Sequence, residues 1–195
     1  IAFSQIMGTG IDYQYDGKTY HFNKGVVDAY DKTISALSNK GMTVTVILLN
    51  DWNPNTPDLV YPGTQKNSNA FYYMFNAETE AGFDQTKAIA SFLAQHYSGD
   101  NPNYGKVSNW IIGNEINNQQ WNYMGPMDLT NYVKAYQKAF RVIYTAIKST
   151  NANDRVYFSL DYNWMNEIDG KLKYGGKEIV DSFNSIANTQ GQMDW

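Results

Sequence analysis

Residues 107–113 read Val-Ser-Asn-Trp-Ile-Ile-Gly and run directly into Asn114-Glu115. An apolar run of this length, too short for a helix, reads as a buried strand. Two other stretches share its design. Met42 to Leu49 (MTVTVILL) is rich in β-branched residues and loses polar alternation towards its end, the mark of a strand buried on both faces in a parallel sheet. It ends in Asn50-Asp51-Trp52. Val156 to Leu160 ends in Asp161-Tyr162-Asn163-Trp164.

Helical patterns lie between and around these strands. From Gly25, the residues Val26, Val27, Tyr30, Ile34 and Leu37 form one stripe that stops at Gly41. A second helix is expected over 77–97, with Asn76 as its N-cap. Leu129, Tyr132, Val133, Tyr136, Phe140, Ile143 and Ile147 recur at three- and four-residue steps and give the clearest helix. A fourth is expected over 177–187, and residues 193–195 are read as the opening of another strand. Upstream, Asp16-Gly17 between tyrosine-rich flanks predicts a small hairpin. Strands alternating with helices predict one α/β domain over 1–195 with parallel strands, and the long loops that follow them mark a working edge.

The composition narrows the function. The chain has 195 residues, a net charge of -4, no cysteine and only two histidines, His21 and His96. Without cysteine there is no thiol nucleophile, disulfide, iron–sulfur cluster or thiolate zinc site. No metal or organic cofactor is implied. Lys and Arg are scattered, so no phosphate-binding groove and no nucleic-acid partner is expected. No apolar run is long enough for a bilayer. The excess is aromatic, with 16 Tyr, 9 Phe and 5 Trp in a background crowded with Asn. Flat rings and amides with few charges suit a surface that meets neutral polar ligands, of which sugars are the obvious case.

If the strands are parallel, three polar clusters with aromatic tips converge on one sheet edge. The alternation of a strand puts Ile111, Gly113 and Glu115 on one face and Trp110, Ile112 and Asn114 on the other. Glu115 then closes an apolar strand, with a glycine leaving space beside it and rings nearby. Such a carboxyl group is disposed to keep its proton, as a general acid requires. Each residue also has a plainer reading. Glu115 can cap a neighbouring turn, Asp51 and Asp161 can close Asx-turns, and Trp52, Trp121 and Trp164 can fill the bases of loops. His96 is read as a packed or capping residue.

The segment Trp110-Ile111-Ile112-Gly113-Asn114-Glu115, with the Asn-Asp-Trp strand before it and aromatics after it, resembles the fourth strand of the retaining glycoside hydrolases built on a (β/α)8 barrel. The resemblance implies a partial (β/α)8 barrel, with Glu115 as acid/base and Asn114 bonded to the hydroxyl beside the reacting sugar carbon. It implies a β-linked oligo- or polysaccharide substrate and an extracellular or cell-surface location. From their positions at strand ends, Trp52, Trp121 and Trp164 become stacking platforms, and Asp51 and Asp161 become partners for hydroxyls.

Retaining hydrolysis also needs a nucleophilic carboxylate about 5 Å from the acid/base. In those enzymes it ends strand seven. Counting 107–113 as strand four, with residues 1–7 as strand two and 193–195 as the start of strand six, leaves strands one, seven and eight outside the chain. A full barrel needs about 250 residues. The expectation is therefore an incomplete barrel from a larger protein, with an external nucleophile and strand edges that invite self-association. Two readings compete. One is a non-catalytic carbohydrate-binding or inactive barrel relative. The other is a complete doubly wound α/β domain with a ligand at its switch point.

Overall fold

The computed structural model describes residues 1–165 and 169–195. Ala2 bridges Leu49 in parallel before the chain turns into a four-residue helix, α1 (Phe3–Ile6). Strands β1 (Gly10–Tyr15) and β2 (Lys18–Asn23) form an antiparallel hairpin. Its two-residue turn, Asp16-Gly17, has φ of 49° and 75°. Two positive φ values in succession match the right-handed twist of the flanking strands. Helix α2 (Lys24–Ser38) is capped by the Asn23 side chain, which accepts from Val26 N–H at 3.2 Å. Then come β3 (Thr45–Leu48), a 3-10 turn (Pro57–Leu59) and α3 (Glu80–His96), followed by β4 (Asn109–Ile112), α4 (Leu129–Thr150), β5 (Arg155–Tyr157) and α5 (Gly176–Thr189).

The strands β3, β4 and β5 pair in parallel and in chain order, with Ile47 opposite Ile111 and Ile111 opposite Tyr157. One face of this sheet holds Leu48, Trp110, Ile112 and Val156, all buried. Helix α3 packs beside α4, and α4 beside α5. The opposite face carries Thr45, Ile47, Asn109, Ile111, Arg155 and Tyr157, which are half-buried or exposed. The hairpin lies along α3: its turn end ion-pairs with the helix through Lys18–Asp84 and Asp16–Lys87, and its open end packs near the last turns. There Phe22 meets Phe92 at 4.6 Å and Tyr13 meets Phe92 at 5.4 Å.

The expected partial (β/α)8 barrel is not formed. The described residues give five strands in two separate sheets, one of two antiparallel strands and one of three parallel strands, and neither closes. Residues 1–7 leave the sheet after one bridge because Phe3 begins a helical turn. Residues 193–195 start no strand. Instead the Trp195 ring stacks on Phe158 at 4.9 Å and meets Phe183 edge-on at 4.9 Å, so apolar packing takes that segment. The β-branched run 42–49 also misled. Only four of its residues pair as a strand, and one side of that strand is not covered.

Helix boundaries moved for local reasons. The N-cap of α3 is Thr79, whose hydroxyl accepts from Gly82 N–H at 3.1 Å. Asn76 instead takes Glu78 N–H at 2.9 Å and donates to the Thr79 hydroxyl at 2.8 Å, building the turn that presents the cap. No helix among the described residues is long and apolar enough to cross a membrane.

Candidate functional site

Where β4 ends, the chain stops alternating. Gly113 has φ of 75° and Glu115 has φ of 43°. Left-handed backbone is ordinary for glycine and costs a residue with a side chain about 1–2 kcal/mol. This pair of turns removes Glu115 from the strand's alternation, so the expected face-sharing of Ile111, Gly113 and Glu115 does not hold. The Glu115 backbone is fixed on both sides. Its N–H donates to Ser159 Oγ at 2.9 Å, and its carbonyl accepts from Asn118 N–H at 2.8 Å. Its carboxylate is half-buried, and no group among the described residues hydrogen-bonds or ion-pairs with it. A strained residue held this firmly, with its charged end unused by the described residues, is a functional candidate on physical grounds.

Helix α4 supplies the clamp. Tyr132 and Tyr136, four residues apart on its inner face, donate to the carbonyls of Ile116 (2.5 Å) and Ile112 (2.6 Å). Those carbonyls flank Gly113–Glu115. Both rings are fully buried, and desolvation pushes both phenols above their ordinary range, so they serve as proton-bearing donors. Tyr132 also accepts from Asn122 Nδ2 at 2.9 Å.

From the neighbouring strand end, Ser159 adds a weak bond to Asn114 Oδ1 at 3.5 Å. Asp161 Oδ1 accepts from Asn117 Nδ2 at 2.6 Å, and Asp161 N–H donates to Asn117 Oδ1 at 2.8 Å. Asn163 donates to both Asp161 oxygens. Partial burial works to raise the Asp161 carboxyl, but these bonds and the Lys173 charge outweigh it and hold the group below its usual range. Asp161 is thus a charged acceptor that ties two loops together. The structure therefore joins Asn114, Glu115 and Asp161 through Ser159 and Asn117, two residues that the sequence reading missed.

The remaining predicted residues are dispersed. Asp51 accepts from Gln5 Nε2, on the side where the chain enters the domain. Trp52 lies 5.3 Å from Tyr73, which meets Tyr123 edge-on at 5.8 Å. Trp121 stacks on Phe71 at 4.7 Å and on Tyr72 at 6.2 Å, and Phe71 is 56% exposed. Trp164 stands apart at the start of α5, 49% exposed, with its carbonyl accepting from Lys177 N–H. His96 bonds Asp31 at 2.8 Å and stacks on Tyr104 at 3.8 Å, so it is a packed residue. Beside the Trp121 loop lies a cleft of about 310 Å³ lined by Asn67, Asn69, Asn118, Gln120, Tyr123 and Lys173, among others. The Asn117-Asn118-Gln119-Gln120 run was its one signal in the sequence. Among the described residues, no three of His, Asp and Glu gather closely enough to hold a metal ion.

An α/β domain with an open parallel sheet, an acid at one strand end that no described residue engages and a cleft lined largely by amides defines a class of architecture. The chain belongs to DUF5722, a family of unknown function whose profile matches residues 1–195. No curated protein matches it.

Proposed function

We propose that this chain is a carbohydrate-directed domain of glycoside hydrolase type, acting on a β-linked oligo- or polysaccharide with Glu115 as the general acid/base. The observation that carries this reading is the Glu115 carboxylate, fixed by its backbone at φ of 43° and used by no other described group. The acid would protonate the leaving glycosidic oxygen and then deprotonate the attacking water. Asn114 would hold the adjacent hydroxyl. The amides of the neighbouring cleft and the Phe71–Trp121 stack would bind further sugar units, hydroxyls to amides and C–H faces to rings. The second carboxylate that retention demands would come from outside this chain.

One observation favours a non-catalytic sugar-binding domain as the second reading. Asp161, the other carboxylate of this edge, has both oxygens engaged by Asn117 and Asn163. Exchange of Glu115 for Gln separates the two. In the polypeptide that carries this chain, Glu115→Gln should lower release from aryl β-glycosides by about a hundredfold or more. It should leave retention of β-glucan in affinity electrophoresis nearly unchanged. Unchanged turnover in the variant would overturn the acid/base role. Absence of turnover in the parent, with intact binding, would favour the second reading.

A further inference from the structure

The cleft beside the Trp121 loop has an unusual charge balance. Its wall is built of amides with Ala70, Tyr123 and Leu172, and the single charged residue on it is Lys173. Among the described residues, Lys173 forms no ion pair. Its main chain is held on two sides. The Lys173 N–H donates to Asp169 Oδ1 at 2.9 Å, and the residue forms an antiparallel bridge with Asn118. Among the described residues, two acids feel its charge, Asp161 and Asp169, and both have other work. Asp169 Oδ1 also accepts the N–H groups of Lys171 and Leu172, and Asp161 is bound by Asn117 and Asn163. An ammonium with no ion-pair partner among the described residues, in a wall otherwise uncharged and rich in amides, fits a ligand with many hydroxyls and one negative charge.

We propose that this cleft receives the anionic substituent of an acidic glycan, with Lys173 on the charge and Asn67, Asn118 and Gln120 on the hydroxyls. The inference rests on the sugar-directed reading above and adds the substrate class to it. An ammonium is a compact point charge, without the two-pronged match to carboxylates that a guanidinium has. It accepts a uronate carboxylate or a sulfate ester alike, so the shared chemistry is one anionic group per sugar unit.

Three oligosaccharide series of equal length test this: oligogalacturonates, sulfated galactan fragments and neutral β-glucan fragments, titrated calorimetrically at low and high salt. At least one anionic series should bind about tenfold tighter than the neutral one, as a hydrogen bond to a charged group is worth. That preference should shrink with salt, and whichever series wins identifies the substituent. Lys173→Met should remove the preference, Lys173→Arg should keep most of it, and Lys171→Met, on an exposed side chain two residues away, should not change it. Equal affinity for all three series, or a preference that survives Lys173→Met, would overturn the inference while leaving the sugar reading intact. Binding of no glycan in any series would overturn both.

Discussion

Replacement of Gly113 by Ala tests whether the turn after β4 is what presents Glu115. Two costs can be worked from the geometry. With φ at 75°, alanine pays about 1–2 kcal/mol for left-handed backbone, partly offset by the about 0.4–1 kcal/mol that it gains through a less flexible unfolded chain. Its Cβ would also stand 2.8 Å from Ile116 Cγ2, in a site where Ile116 is fully buried. Relief of such an overlap in a packed interior costs about 1–3 kcal/mol. The sum is about 1–4.5 kcal/mol, a large share of the about 5–15 kcal/mol that holds a domain together. In urea this moves the midpoint down by about 0.5–2 M, given a slope of about 2 kcal/mol per M. The steric part belongs to the pair, so Gly113→Ala with Ile116→Ala should cost less than the sum of the single changes by about 1 kcal/mol or more. Equilibrium unfolding of the four proteins gives the cycle. Strict additivity, with Gly113→Ala costing under about 0.5 kcal/mol, would refute the reasoning, because the turn would then be free to relax and Glu115 would not be held.

Other outcomes follow from the same packing. Tyr132→Phe should cost about 1–2 kcal/mol, because the Ile116 carbonyl is left buried without its donor. Tyr136→Phe should behave alike through Ile112, and hydrogen exchange at Glu115 and Ile116 should quicken in both variants. Trp110→Phe carries a pH signature. Burial holds the Asp154 carboxyl above its usual range, while the indole N–H at 2.9 Å and the charges of Lys106 and Lys148 work the other way. A carboxyl raised in the folded state contributes most below its unfolded value of about 3.9, and that contribution is lost as pH climbs through the folded value. Loss of the indole donor raises the folded value further. The deficit of Trp110→Phe, measured by urea unfolding, should therefore widen from about pH 4 upward and fall to the ring-truncation cost alone below that. A deficit that does not change with pH would show that the indole does not stabilise the carboxylate.

Local chemistry was legible where one dipeptide or one period decides the outcome. Asp16-Gly17 specified the hairpin because few other pairs tolerate two positive φ values. The seven-residue stripe from Leu129 to Ile147 specified α4 because its burial is one-sided. The strand ends at Leu48, Ile112 and Tyr157 were read a little long, since β-branched runs look alike whether a partner covers one face or two. Glu115 could be found as a strand-end acid, but not its orientation. Alternation carries information only while the backbone stays extended, and Gly113 ends that. The cleft was the hardest part to see. Its walls come from residues 67–70, 118–123 and 172–173, which only the tertiary fold brings together.

The order of the parallel sheet, β3 then β4 then β5, has a consequence for how the molecule comes into being. During synthesis each new strand finds the previous one already in place as its template, and no later segment has to be wedged between two earlier neighbours. Growth from the amino end can then proceed by accretion. The edge that β3 leaves open is the one that β4 covers, and the edge that β4 leaves open is the one that β5 covers.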